Sequence, residues 1–166
     1  MSATGSKAFM RRAIALARQA LAEHGAKPFA AVVVRDGEIV GEGVNRADAT
    51  FDPTSHGEVE AIRDACRRQQ TLDLTGCDLY TTCEPCALCV STMRSTGIGR
   101  VFYASSIEAA AQVLSDTVPD LVERTTALRR EAGRSVMEGS LSGTQLLAEE
   151  GDDVLAAWAR GLPRRS

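Results

Sequence analysis

Two short stretches of the chain hold residue types able to do chemistry. The first, SHGEVEAIRDAC (Ser55–Cys66), places one of only two histidines, His56, two positions before Glu58. The second, TTCEPCALC (Thr81–Cys89), holds Cys83, Cys86 and Cys89 at three-residue spacing. Ser55 to Glu58 also matches S-x-x-E, a capping box in which Ser55 caps a helix and Glu58 reaches back to its backbone amide. Residues two apart do not share a face of a regular helix. His56 and Glu58 therefore reach one small site only from a helix's first turn, a start that Pro53, Thr54 and Ser55 favour. The two readings are compatible, with Ser55 capping and Glu58 turned toward a site.

The cysteines form two overlapping C-x-x-C units. Such spacing presents thiolates from one helical turn, which suits tetrahedral zinc. It also fits a redox pair or small buried hydrophobes. Pro85 is placed to open a helix, because its missing amide costs nothing there. A helix N-terminus lowers thiol pKa, favouring the thiolate that zinc needs. If Pro85 opens the helix, Cys86 and Cys89 lie on its first turn and Cys83 ends the preceding strand, aimed elsewhere. Cys86 and Cys89 are therefore the expected ligands. Cys66 and Cys77 have no partner at ligand spacing and read as core residues.

The elements that must position these groups follow from the pattern. Phe9, Ala13, Leu16, Ala17, Ala20 and Leu21 recur at helical spacing, with Gly25 as a stop and Pro28 beyond it. Two β-rich runs flank Asp36-Gly37, a hairpin signal. RADATFDPT reads as loop. Glu58–Arg68 and Ala87–Ser95 read as helices, CDLYTT and GRVFYA as strands. Ile107–Leu114, Asp120–Ala132 and Asp152–Arg160 read as helices, and RSVMEG as a short strand. Strands alternating with helices after a hairpin predict a mixed sheet with helices on both faces.

A chain of 166 residues favours a single domain with its own core. Its net charge of -3 provides no global attraction to nucleic acid or an anionic membrane. No apolar run approaches the roughly 20 residues of a membrane span. The N-terminus lacks the apolar core and cleavage site of a secretory signal, although its Arg-bearing amphipathic character has something of a transit peptide. Five cysteines without an export signal favour a metal site over disulfides. A cytoplasmic location is expected.

His-x-Glu followed by Pro-Cys-x-x-Cys, here His56, Glu58, Pro85, Cys86 and Cys89, is the signature of zinc deaminases. On these residues the chain resembles the cytidine deaminase superfamily, and within it the bacterial guanine deaminases and tRNA adenosine deaminases. PFAAVVV, Asn45, DPTSHGEVEAIR, LYTTCEPCALC and GRVFYA carry the likeness over roughly residues 8–106. The resemblance implies a three-layer α/β/α fold with a mixed central sheet. It implies one zinc per chain on His56, Cys86 and Cys89, with the fourth position open for water. Zinc lowers that water's pKa toward about 7, giving a hydroxide that attacks the amino-bearing ring carbon. Glu58 is not a ligand but moves the protons, and ammonia leaves.

The same resemblance places Phe29 and Asn45 in the substrate pocket. It relates Asp116 loosely to a substrate-contacting aspartate. It likens LLAEEGDDVLAAW to a segment, here residues 140–166, that covers the active site, in some relatives by exchange between subunits. Glu149 or Glu150 would then supply a second functional acid, and Trp158 a substrate contact. Two residues depart from the pattern. Gly57 replaces the usual alanine between His56 and Glu58, removing a methyl near the zinc. Ser95 stands where guanine deaminases carry a tryptophan beside the purine. The expected substrate is a free nucleobase or analogue (guanine, cytosine or an aminated triazine), with a homodimer as the assembly. An RNA-editing adenosine deaminase is the rival within the same chemistry, and a zinc-stapled binding module the rival outside it. Glu58 argues against the last, since a structural site needs no acid beside it.

Overall fold

The computed structural model describes residues 6–135, 138–140 and 143–161. The chain divides into two compact units, residues 1–132 and 133–166. In the first unit, β1 (Lys27–Arg35), β2 (Glu38–Asn45), β3 (Asp78–Cys83) and β4 (Arg100–Ser105) form one sheet in the order β2-β1-β3-β4. β1 runs antiparallel to β2 and to β3, whereas β3 and β4 are parallel. The hairpin expected at Asp36-Gly37 is present. Both residues have positive φ, 51° and 84°, as a type I′ turn requires.

The run AAVVV in β1 is apolar throughout because both faces of the strand are covered. On one face, α1 (Lys7–Ala20) sets Phe9, Met10, Ala13 and Leu16 against Val32, Val34 and Tyr80. On the other, α3 (Gly57–Gln69) and α4 (Ala87–Ser95) set Ala61, Ile62, Ala65 and Met93 against Ala31, Val33 and Leu79. Each fully buried Val or Leu contributes about 1.5–3 kcal/mol of transfer free energy. The result is the three-layer α/β/α sandwich expected of the sequence. Cys77 is buried and Cys66 packs against the same cluster, as core residues should.

α3 lies unusually close to β2. A Cβ at Gly43 would strike the backbone of Ala61 and Gly57, so only glycine admits this approach. A short α2 (Ala47–Thr50) occupies part of the segment read as loop. α1 stops at Ala20, and a turn leads to Gly25 at φ 74°. After β4 come α5 (Ile107–Val113) and α6 (Leu121–Glu131). Ser106 caps α5 by accepting from the Ala109 N–H at 3.1 Å. The second unit carries α7 (Ala148–Arg160). The strand read in RSVMEG includes residues 136 and 137, which lie outside the described residues.

Candidate active site

The capping box does not form. α3 starts at Gly57, which puts His56 in the N-cap position with extended backbone and no side-chain cap bond. Glu58 is then the second helical residue, one position short of the box's reach. It is buried and lines a pocket instead. The Ser55 hydroxyl, also buried, donates to Glu60 Oε1 at 3.1 Å. Arg63 pairs with both Glu60 and Asp52. Asp52 in turn accepts from the Thr54 N–H at 2.8 Å and its hydroxyl at 2.6 Å. These bonds, chiefly those from Thr54, hold the Asp52 carboxyl below its ordinary range. The loop that delivers His56 is thus braced from both sides.

Pro85 precedes the next helix rather than opening it. α4 begins at Ala87 with Cys86 as its N-cap, and the Val90 N–H bonds the Cys86 carbonyl at 3.0 Å. Cys89 follows on the first turn. His56 Nδ1 stands 3.5 Å from each of Cys86 Sγ and Cys89 Sγ, and the two sulfurs are 3.7 Å apart. Among the described residues, these three form the group able to hold a metal ion. The edges can be tested against metal geometry. Zinc at about 2.3 Å from sulfur and about 2.0–2.1 Å from nitrogen, with tetrahedral angles, needs S–S and S–N edges of about 3.8 and 3.6 Å. The three groups fit zinc without rearrangement.

Proton affinities within the cluster shift in both directions. Hydrogen bonding from Cys89, then from His56, pulls the Cys86 thiol down to about 4 despite burial. Cys89 is pushed up, first by sharing its proton with Cys86 and then by burial. His56 is raised, mainly by its bond to Cys86. Glu58 is raised, first by burial. Cys83 is pushed up to about 11 by burial and by the Glu58 charge, so it stays a neutral thiol at neutral pH. Cys83 lines the pocket but is not one of the three clustered donors.

The pocket beside these groups has a volume of about 310 Å³. Lys27, Phe29 and Asn45 line it. A register irregularity between Lys27 and Ala30 takes Phe29 out of the regular β1 ladder. Asn45 is buried at the end of β2, its Oδ1 accepting from the Ala47 N–H at 3.2 Å. The rest of the lining mixes apolar and polar groups: Ile107, Leu114, Val118, Leu121 and Leu128 with Glu84 and with Arg124 and Thr125 of α6. Sequence reasoning did not identify this part of the lining. The helical spacing of Leu121, Thr125 and Leu128 was legible, but the surface they face was not.

Residues 4–105 match the family model described as the cytidine and deoxycytidylate deaminase zinc-binding region. The chain belongs to this deaminase family. It is 41% identical over 104 residues to a guanine deaminase of Bacillus subtilis (strain 168), covering 63% of this chain and 67% of that one. A solved structure of guanine deaminase from Bacillus subtilis superposes with a TM-score of 0.80 at 31% identity, covering 98% of this chain and 99% of that one. A structure from work on A-to-I editing by tRNA:A34 deaminases gives a TM-score of 0.57 at 36% identity, covering 60% of this chain and 75% of that one. These likenesses support a hydrolytic deaminase with a zinc-binding centre. No helix among the described residues is long and apolar enough to cross a membrane.

Within this deaminase chain the remaining expected residues fall as follows. Asp116 is exposed between Leu114 and Val118 and does not itself line the pocket. Ser95 lies on the outer side of α4, donating to the Ser91 carbonyl at 2.9 Å, and is not part of the lining. Glu149, Glu150 and Trp158 lie on α7 and are exposed. The methyl missing at Gly57 would press on β1. It would meet the Phe29 carbonyl at 2.6 Å and Ala30 Cα at 2.9 Å, because α3 starts directly against β1.

Proposed function

We propose that this chain is a zinc-dependent hydrolase that deaminates a free nucleobase or a nucleobase-like ring of the guanine, cytosine or aminated triazine class. One observation carries the reading. The likeness to the Bacillus subtilis guanine deaminase structure runs through 98% of the chain, whereas that to the tRNA:A34 deaminase structure covers 60%. The net charge of -3 supports it further, because RNA is bound largely through phosphate contacts.

His56, Cys86 and Cys89 would hold the metal, a three-ligand set that leaves one position for water. Zinc bound there would supply an activated water at neutral pH. Glu58 would take one proton from that water and pass it to a ring nitrogen, then carry the water's second proton to the departing amine. The water's oxygen becomes the ring carbonyl, and the amine leaves as ammonia. Burial raises the Glu58 pKa toward the working range of an acid that must both take and give a proton. Phe29 offers an apolar surface to the ring. Asn45, with its oxygen bonded to Ala47, offers its amide NH2 to a base edge. Ile107, Leu121 and Leu128 offer further apolar surface to the ring. On resemblance alone we further propose Asp116 and Trp158 as substrate contacts, Glu149 or Glu150 as a second catalytic acid, and a homodimer.

A panel of guanine, cytosine, adenine, an aminated triazine, nucleosides and tRNA, assayed for ammonia, tests the reading. Release from a free base is the expected result. Release from tRNA alone would replace it with RNA editing, and release from none would overturn it.

A further inference from the structure

Glu84 has no part in the chemistry above, yet it joins three elements around the pocket. It lies between Cys83 and Pro85, in the loop that leads to Cys86. Its N–H donates to the Ser105 carbonyl at the end of β4, at 2.8 Å. Its carboxylate accepts two bonds. Oε2 takes the Ile107 N–H at the start of α5, at 3.2 Å. Oε1 takes Arg129 Nη2 from the last turn of α6, at 2.7 Å. The same guanidinium nitrogen lies 3.5 Å from the Pro85 carbonyl.

α6 needs such a tether. Thr125 is its one buried residue among those described, so little apolar area holds it down. Even so, its Leu121, Thr125 and Leu128 line the pocket. Arg129 follows Leu128 directly, so the ion pair anchors the wall beside one of its lining residues.

We propose that the Glu84–Arg129 pair is a positioning strap. It seats α6 against the loop bearing Cys86 and thereby sets how firmly the substrate ring is held. Arg129 acts through α6, not on the reacting atoms; Glu84 also lines the pocket, so Arg129 is the residue that tests the strap. The proposal rests on the reading of this pocket as a nucleobase site. The pair belongs to the binding wall, so its loss weakens substrate binding while leaving the metal and proton-transfer groups in place.

The test compares the zinc-loaded full chain with Arg129→Ala, Arg129→Lys and, as a control on the same turn, Arg130→Ala. Hydrogen exchange reads the strap without any substrate. In Arg129→Ala the backbone amides of α6 are expected to exchange about 3- to 10-fold faster, the range of a partly exposed, charge-assisted bond. KM should rise by about the same factor with kcat within about twofold and zinc content unchanged. Arg129→Lys should recover most of both, and Arg130→Ala should match the parent. Parent KM should climb from low to high salt, and that of Arg129→Ala should not. Unchanged exchange in Arg129→Ala would overturn the strap, and faster exchange at constant KM would overturn its role in binding. A parent protein that deaminates no base would sink the nucleobase reading, while the exchange arm still decides the strap. If Arg129→Ala does not fold, Arg129→Gln, which also removes the charge, reads the same arms.

Discussion

Glu58 occupies the position where capping and catalysis make different demands on one side chain. With α3 starting at Gly57, its carboxyl cannot close a capping box and is buried beside the His56, Cys86 and Cys89 donors. Glu58→Gln keeps size and much of the hydrogen bonding but removes the proton acceptor. The expected outcome is retained zinc and fold with deamination lowered at least ~10³-fold, within the usual span of general acid-base effects. Retained activity would refute the role, and loss of zinc would make Glu58 a ligand. The cysteines allow a companion prediction. Cys86→Ala or Cys89→Ala should abolish zinc binding, and Cys83→Ala should retain it, as measured by metal analysis. In the metal-free protein Cys89 holds its proton, because its pKa is raised by Cys86 and by burial. Zinc must displace that proton, so binding should release at least one proton at neutral pH and weaken as pH falls. An indicator in weakly buffered solution reads the release. Uptake with no proton released would mean that Cys89 is not a ligand.

At the scale of elements, the site depends on how closely α3 approaches the sheet. A Cβ at Gly57 would stand 2.6 Å from the Phe29 carbonyl, and Phe29 lines the pocket. Gly57→Ala restores the residue usual in the resembling enzymes, and its gain in helix propensity is less than about 1 kcal/mol. The backbone clash should outweigh that gain, costing about 1–3 kcal/mol as overpacking does. For a chain this long, that lowers Tm by about 2–12 °C. An unchanged melting temperature would show that α3 can withdraw without cost. The same close approach explains what the sequence could and could not convey. The hairpin was legible because Asp36-Gly37 is local turn chemistry. The strands and helices were legible from period, and the pairing of Cys86 with Cys89 from spacing. The capping box was misread: the helix starts at Gly57 with His56, not Ser55, at its cap, and Ser55 bonds Glu60 instead. The α5–α6 wall was not legible, because periodicity gives a helix its apolar stripe without saying what that stripe faces.

At the scale of the whole molecule, the second unit presents an imbalance. α7 buries none of its residues, and Val154, Leu155 and Trp158 are all more than 60% exposed. Leu146 and Leu147, just before the helix, are exposed still further. An apolar group of this kind signals association, since each large side chain withdrawn from water contributes about 1.5–3 kcal/mol. The proposed homodimer gives it a place to go. Light scattering at micromolar concentration should therefore report a mass near twice the 17.7 kDa of one chain. Trp158 is the sole tryptophan, so its emission is a direct probe of its surroundings. If α7 takes part in the interface, emission should shift to the red as the protein is diluted through its dissociation constant. Trp158→Glu would place a charge in the apolar contact and should shift the population toward monomer by tenfold or more in Kd, given a penalty of at least about 1.4 kcal/mol. A monomer mass for the parent would overturn the dimer. A dimer unaffected by Trp158→Glu, with emission constant on dilution, would keep the assembly but remove α7 from its interface.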